Sequence, residues 1–175
     1  NRRQDSWGGS REKRTRFPIE VLTKVQHVVA EKEASHFIIG YRFSPEEIEE
    51  PGIRFEDTMF LLNTLAEYEP DYFHISANSY QRTSIVNQED TEPLINKYIK
   101  MQSAQLAKIP LIGVGSIAQR QDAEHALELG YDLLSVGKAY LVEPQWTDKI
   151  SQNEEVEQFV DIHDQKVLHI PSPLW

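Results

Sequence analysis

Four times along this chain a helical apolar pattern gives way to a short apolar run that is too brief to be a helix itself. Val21, Leu22, Val25, Val28 and Val29 recur at the 3.6-residue period of an amphipathic helix over about 11–33. Phe37-Ile38-Ile39-Gly40-Tyr41-Arg42-Phe43 follows, aromatic and β-branched, and reads as a buried strand. Ser44-Pro45-Glu46-Glu47 has the form of a capping box with Pro at the first helical position. The next helix is expected over 55–68, with Thr58, Leu61, Leu62 and Leu65 on one face, stopped by Pro70, and the next strand over 72–76. A polar stretch over 78–90 lacks any apolar period and reads as a long loop, a kind that is often functional. A third helix over about 91–107 carries Leu94, Ile95, Tyr98 and Ile99 on one face. A strand over 109–116, a helix over 119–129 closed by Gly130, and a strand over 132–138 complete the alternation. A short helix is expected over 146–151, and an irregular tail after it. Continuous apolar strands separated by amphipathic helices make a parallel α/β sheet, with no second domain marked.

Composition narrows the function classes. With no Cys among 175 residues, disulfide scaffolds, thiolate metal sites and cysteine nucleophiles are excluded. The net charge of -10 argues against broad phosphate-backbone binding to nucleic acid. No apolar run approaches the roughly 20 residues of a membrane span, so a soluble protein is expected, and the lack of Cys suits a reducing cytoplasm. The opening residues, from Asn1 onward, read like the interior of a longer protein.

Parallel α/β folds gather function at the C-terminal ends of their strands. There the chain offers Arg42 and Ser44, Ser76 to Asn78, Gly113 to Ile117, and Gly137-Lys138. The last two form the strongest pair. Gly115 and Gly137 lie 22 residues apart, one βα unit, each followed by a residue able to donate to an anion, Ser116 and Lys138. Barrels commonly build a phosphate site from two such successive turns. Arg42 within an apolar strand has two readings, an anion-binding group at the mouth or a structural ion pair. His74 in an apolar strand is more often a hydrogen-bonded core residue than a base. His125, His163 and His169 read as surface residues, and Glu46, Glu47, Glu49 and Glu50 as a solvated helix face and loop. No metal-ligand spacing, Walker A sequence or Gly-x-Ser-x-Gly motif occurs, and Gly113-Val114-Gly115 lacks the third glycine of a dinucleotide fingerprint.

The stretch from Asn1 through Trp7-Gly8-Gly9-Ser10 to Arg14-Thr15-Arg16-Phe17 closely resembles a motif of the Old Yellow Enzyme family, departing from it at Lys13, where the family usually has Asn. Gly40-Tyr41-Arg42-Phe43-Ser44, His74-Ile75-Ser76, Gly113-Val114-Gly115-Ser116-Ile117 and Val136-Gly137-Lys138-Ala139-Tyr140-Leu141 resemble strands five to eight of that family's barrel. The resemblance covers about 1–146. It implies the C-terminal half of a (β/α)₈ barrel over 1–150, a tail over 151–175, and an FMN-dependent oxidoreductase using NADH or NADPH to reduce an enone or related activated alkene. It implies FMN contacts by Arg42, Val114, Gly115, Ser116, Gly137 and Lys138, with Arg42 at the N1/O2 edge of the flavin. Lys138 stands where the family usually has Arg. Asp5 and Arg14 are implied to orient the segment after strand four. The family's substrate-holding His pair and proton-donating Tyr belong to strands before this chain. Two other readings stand beside this one: a phosphate-binding isomerase or aldolase on the same barrel, and a non-catalytic half-barrel module. The tail over 161–175 packs either on the barrel or on a partner subunit, which leaves a homo-oligomer open.

Overall fold

The structure is a computed structural model, and it describes residues 3–159. Helix α1 spans Arg11–Glu31, followed by β1 (Gly40–Phe43), α2 (Phe55–Ala66), β2 (Tyr72–Ile75), α3 (Leu94–Met101), a 3-10 turn (Leu106–Lys108), β3 (Leu111–Val114), α4 (Arg120–Glu128), β4 (Leu133–Ser135), α5 (Lys138–Val142) and α6 (Trp146–Ser151). The four strands form one sheet in the order β1-β2-β3-β4, every neighbour parallel. This is half of a (β/α)₈ barrel, as the alternation of patterns requires.

Register sorts the strand residues onto two faces. Arg42 pairs with His74, His74 with Ile112, Ile112 with Leu133, and Val114 with Ser135. Side chains alternate along a strand, so these residues share the face that is the barrel's interior. Tyr41, Phe43, Phe73, Ile75 and Leu111 take the opposite face and join the core with Met59, Leu62, Leu65, Leu94, Ile95, Ala123 and Ala126 of the helices. Phe73 is fully buried, with Tyr41 and Phe43 edge-on to it at 6.4 and 6.5 Å between ring centroids. Each such buried side chain contributes roughly 1.5–3 kcal/mol of transfer free energy.

The ends of the elements follow from local chemistry. Ser10 caps α1 by accepting from the Lys13 N–H at 3.4 Å. Asp122 in the first turn of α4 reaches back to the N–H groups of Ala118 and Gln119, both at 2.9 Å. At the other end of α4, Gly130 is left-handed (φ 111°), with Gly130 N–H on the Leu127 carbonyl and Tyr131 N–H on the Ala126 carbonyl. These are the two bonds of a Schellman turn, so Gly130 closes the helix as expected. Asp71 and Asp132, each just before a strand, tie down their neighbours: Asp71 accepts from Ile39 N–H at 2.6 Å and Asp132 from Leu111 N–H at 2.8 Å.

Several expectations are corrected. The strand expected over 37–43 begins only at Gly40, and Phe37 and Ile38 are exposed. The strand expected over 132–138 ends at Ser135, and Lys138 opens α5. The third helix is confined to Leu94–Met101, since Pro93 sets its start and Gln102 turns extended. Ser44-Pro45-Glu46-Glu47 starts no helix; the chain stays irregular until Phe55. Glu46 is no solvated residue but is buried, accepting from Ser84 Oγ at 3.0 Å and Ile85 N–H at 2.9 Å. It thereby holds the loop after β2 against the end of β1. The apolar stripe of α1 is present but largely uncovered: Leu22 is buried, whereas Phe17, Val21, Val25 and Val28 are exposed. His163, His169 and the tail from 160 onward lie outside the described residues.

Candidate functional site

The turns after β3 and β4 meet. Val114, Gly115, Ser116, Gly137 and Lys138 line one open cavity of about 570 Å³, together with Asn78 from the loop after β2 and residues 157–159. The first turn has an unusual backbone. Gly115 and Ser116 are both left-handed, φ 97° and 55°, a conformation that L side chains avoid. Two bonds hold it: Tyr80 N–H donates to the Gly115 carbonyl at 3.0 Å, and Ser116 Oγ donates to the Asn78 carbonyl at 3.0 Å. The Ser116 proton is thus already engaged. Backbone N–H groups are available to an anion instead: those of Ser116, Gly137 and Lys138 donate to no other described residue. Lys138 is exposed and forms no ion pair among the described residues. Free N–H groups beside a glycine turn and one mobile ammonium are the donor set that suits a phosphate.

Arg42 stands apart from this cavity. It lies on β1, at the edge of a second cavity of about 450 Å³ whose other walls include Tyr41 and Phe43 of the opposite face and Arg11, Arg14 and Asp57 of α1 and α2. Of the two readings of Arg42, the ion pair fails among the described residues. Asp57 is taken by Arg11 and Arg14, at 2.6 and 3.3 Å. Burial raises the Asp57 carboxyl, but the bonds from Arg11 and from the Arg54 N–H outweigh it and leave its pKa lowered. Arg42 therefore lies on the interior face without an ion-pair partner among the described residues, two strands from β3 and three from β4. At ordinary strand spacing this is roughly 10–14 Å along the sheet.

His74 is the register partner of Arg42. It is not the satisfied core histidine its strand suggests, since its Nε2 is buried without a hydrogen-bond partner among the described residues. Burial, and secondarily the Arg42 charge, hold its pKa below the ordinary histidine value. His125 is exposed as expected, yet it also meets Tyr80, edge-on at 5.7 Å, and Gln81 Nε2 at 2.9 Å. Asp5 accepts from Trp7 N–H at 3.0 Å and shapes the turn before α1, while Arg14 ties α1 to α2 through Asp57.

Sequence reasoning missed two supports of the cavity. Trp146 is buried and its Nε1–H donates to the Ala118 carbonyl at 2.7 Å, bracing the turn after β3. Glu143, also buried, bonds to Gln145 N–H and pairs with Lys149. Nothing in a lone Glu or Trp beyond the last strand marks such a role. Among the described residues no helix is long and apolar enough to cross a membrane.

Known proteins sharpen this picture. The profile of the NADH:flavin oxidoreductase / NADH oxidase family matches residues 1–157. The chain is 61% identical over 175 residues to a protein named NADH:acrylate oxidoreductase from Vibrio harveyi, and 51% identical over 176 residues to NADH:fumarate oxidoreductase from Klebsiella pneumoniae (strain 342). Both comparisons cover all of this chain but only 17% and 19% of those proteins. A probable NADH-dependent flavin oxidoreductase of Bacillus subtilis (strain 168) is 37% identical, with 47% of its length covered. Among solved structures, morphinone reductase superposes with a TM-score of 0.63 at 21% identity, over 90% of this chain and 40% of that one, a likeness of fold. The isomerase and aldolase reading thereby falls away, and the chain belongs to the NADH:flavin oxidoreductase / NADH oxidase family, the Old Yellow Enzyme relatives, as half of its barrel.

Proposed function

We propose that this chain is the cofactor-holding half of an FMN-dependent NADH oxidoreductase that reduces an activated alkene. The observation that carries the reading is the convergence of Val114, Gly115, Ser116, Gly137 and Lys138 on one cavity, with backbone donors that have no partner among the described residues, beside an interior face that carries Arg42, likewise unpaired among them. Bound FMN would supply the hydride-transfer chemistry between a nicotinamide and the alkene. The protein groups do the rest. The N–H groups of Ser116, Gly137 and Lys138 hold the phosphate, and the Lys138 ammonium neutralises it as a point charge, without the bidentate fork of an arginine. Arg42 stabilises negative charge at the N1/O2 edge of the reduced ring. The spacing between β1 and the two turns suits a ligand with a phosphate at one end and a flat ring at the other.

The acceptor and the reductant are read from relatives. Two of them carry acrylate and fumarate in their names, both alkenes conjugated to a carboxylate, and NADH as donor. We take an alkene of this class, one of the activated alkenes expected beside an enone from the family resemblance, as substrate of the full-length protein. The groups that hold it and deliver its proton are assigned to the barrel's other four strands.

The test uses the full-length protein. Arg42→Ala is expected to slow flavin reduction by NADH about tenfold or more, with FMN retention little changed. Lys138→Ala is expected to weaken FMN binding about tenfold, or 1.4 kcal/mol, with the reduction rate at saturating FMN preserved. Equal effects on both measures from each variant contradict the roles, and a purified protein without a flavin absorbance band contradicts the reading itself.

A further inference from the structure

The cavity between the turns after β3 and β4 has a third wall that neither strand supplies. Residues 157–159 line it, beyond the last helix, in a stretch without regular structure. Two anchors fix this strap. Val156, just before it, is partly buried and packs against the hydrophobic core. Glu143, at the end of α5, is 7% exposed and acts as a hub. Its carboxylate accepts from the Gln145 N–H at 3.1 Å and pairs with Lys149, whose backbone in turn holds the strap. The strap is tied there at its base, where Glu154 N–H donates to the Lys149 carbonyl at 2.8 Å. A carboxylate removed from water is costly unless its partners are supplied, and here each partner belongs to the junction of α5, α6 and the strap. Since α5 begins at Lys138, the hub couples the cation of the cavity to its third wall.

We infer that residues 154–159 form a cofactor-retaining strap, that Glu143 is the positioning residue that holds it in place, and that Glu157 sets an upper limit on how tightly the cavity grips an anion. The inference rests on the phosphate reading of this cavity. The strap restricts escape of a ligand whose anionic end lies between Ser116 and Lys138. Glu157 lines the same cavity as Lys138, and its negative charge repels an anion bound there. Releasing Glu143 is therefore expected to loosen the grip, and neutralising Glu157 to tighten it, although both changes remove one negative charge.

The experiment is fluorescence titration of full-length apoprotein with FMN, alongside stopped-flow reduction by NADH at saturating FMN. Glu143→Ala is expected to weaken FMN binding about tenfold, from the loss of charge-assisted hydrogen bonds, and to leave the rate of flavin reduction within about twofold. Glu157→Gln is expected to strengthen binding about threefold, more at low salt than at high salt. Val156→Asp, which ejects the strap without touching Glu143, is expected to match Glu143→Ala and serves in its place if that variant fails to fold. Unchanged FMN affinity in Glu143→Ala or in Val156→Asp overturns the strap, as does weaker binding in Glu157→Gln. Lys138→Ala separates the two levels. If it weakens FMN binding while the strap variants do not, the strap alone is wrong; if it too is without effect, the phosphate reading has failed.

Discussion

Gly115 and Gly137 occupy equivalent places in two successive βα units, yet the structure gives them opposite sensitivities to a methyl group. At Gly115 the backbone is left-handed, φ 97°, and an added Cβ comes to 2.5 Å from the Asn78 carbonyl carbon and 2.6 Å from the Ser79 nitrogen. Both contacts are backbone, so no rotamer relieves them and the loop after β2 must move. The conformational cost for an alanine there is roughly 1–2 kcal/mol. Displacing the loop also weakens the Tyr80 N–H bond to the Gly115 carbonyl and the Ser116 Oγ bond to Asn78, each about 0.5–1.5 kcal/mol. Gly115→Ala is therefore expected to destabilise by about 2–4 kcal/mol. At Gly137 the φ is -116° and an added Cβ meets nothing within 4 Å, so Gly137→Ala stays within about 0.5 kcal/mol. Urea unfolding of the full-length apoprotein, followed by tryptophan fluorescence, measures both. Gly137→Ala as destabilising as Gly115→Ala, or Gly115→Ala at wild-type stability, refutes the account of this turn.

Two further outcomes concern titration. His74 is expected to titrate below the ordinary histidine value in an NMR pH series, and Arg42→Ala is expected to raise its midpoint only part of the way back, because burial outranks the Arg42 charge as cause; full recovery in that variant contradicts the ranking. Tyr131 is buried, its hydroxyl donates to the Tyr80 carbonyl at 3.0 Å, and burial pushes its pKa up to about 12. The folded state then binds the phenolic proton more tightly than the unfolded chain, so this contribution is full below about pH 10 and is lost as pH rises toward about 12. Denaturant midpoints measured across that window are expected to fall less in Tyr131→Phe than in the wild type; an equal fall contradicts the assignment.

The fold was legible because its signals are periodic. Leu62, Leu65, Leu94 and Ile95 mark helix faces that the structure buries, and the run around Phe73 marks a strand that it buries fully. Gly130 was legible because a Schellman turn has a residue signature. What failed were signals with more than one physical solution. Ser44-Pro45-Glu46-Glu47 has the chemistry of a helix start, but the same Glu46 carboxylate is satisfied by Ser84 and Ile85, 38 and 39 residues away, and no pattern in the chain foretells a partner at that distance. Val21, Val25 and Val28 show the period of a helix face but not what covers it. In the candidate site, the glycine turns could be found by spacing, whereas Trp146 and Glu143 could not, because their role depends on where a tail crosses a cavity.

The two ends of the sheet divide the work between them. At the N-terminal ends of the strands, Asp71 and Asp132 fix neighbouring strands through backbone N–H groups, and these bonds hold register. At the C-terminal ends, the bonds instead hold loops in conformations that cost energy: Tyr80 and Asn78 stabilise two consecutive left-handed residues, Glu46 draws the loop after β2 toward β1, and Trp146 braces the turn after β3. Strain of this kind persists only where surrounding contacts over-determine it. Among the described residues the N–H groups of Ser116, Gly137 and Lys138 have no partners, because the loop bonds are made by carbonyls and side chains around them. The same hydrogen bonds that stabilise the mouth therefore leave it with donors to spare, beside the exposed ammonium of Lys138, and this is the donor set on which the proposed phosphate site rests.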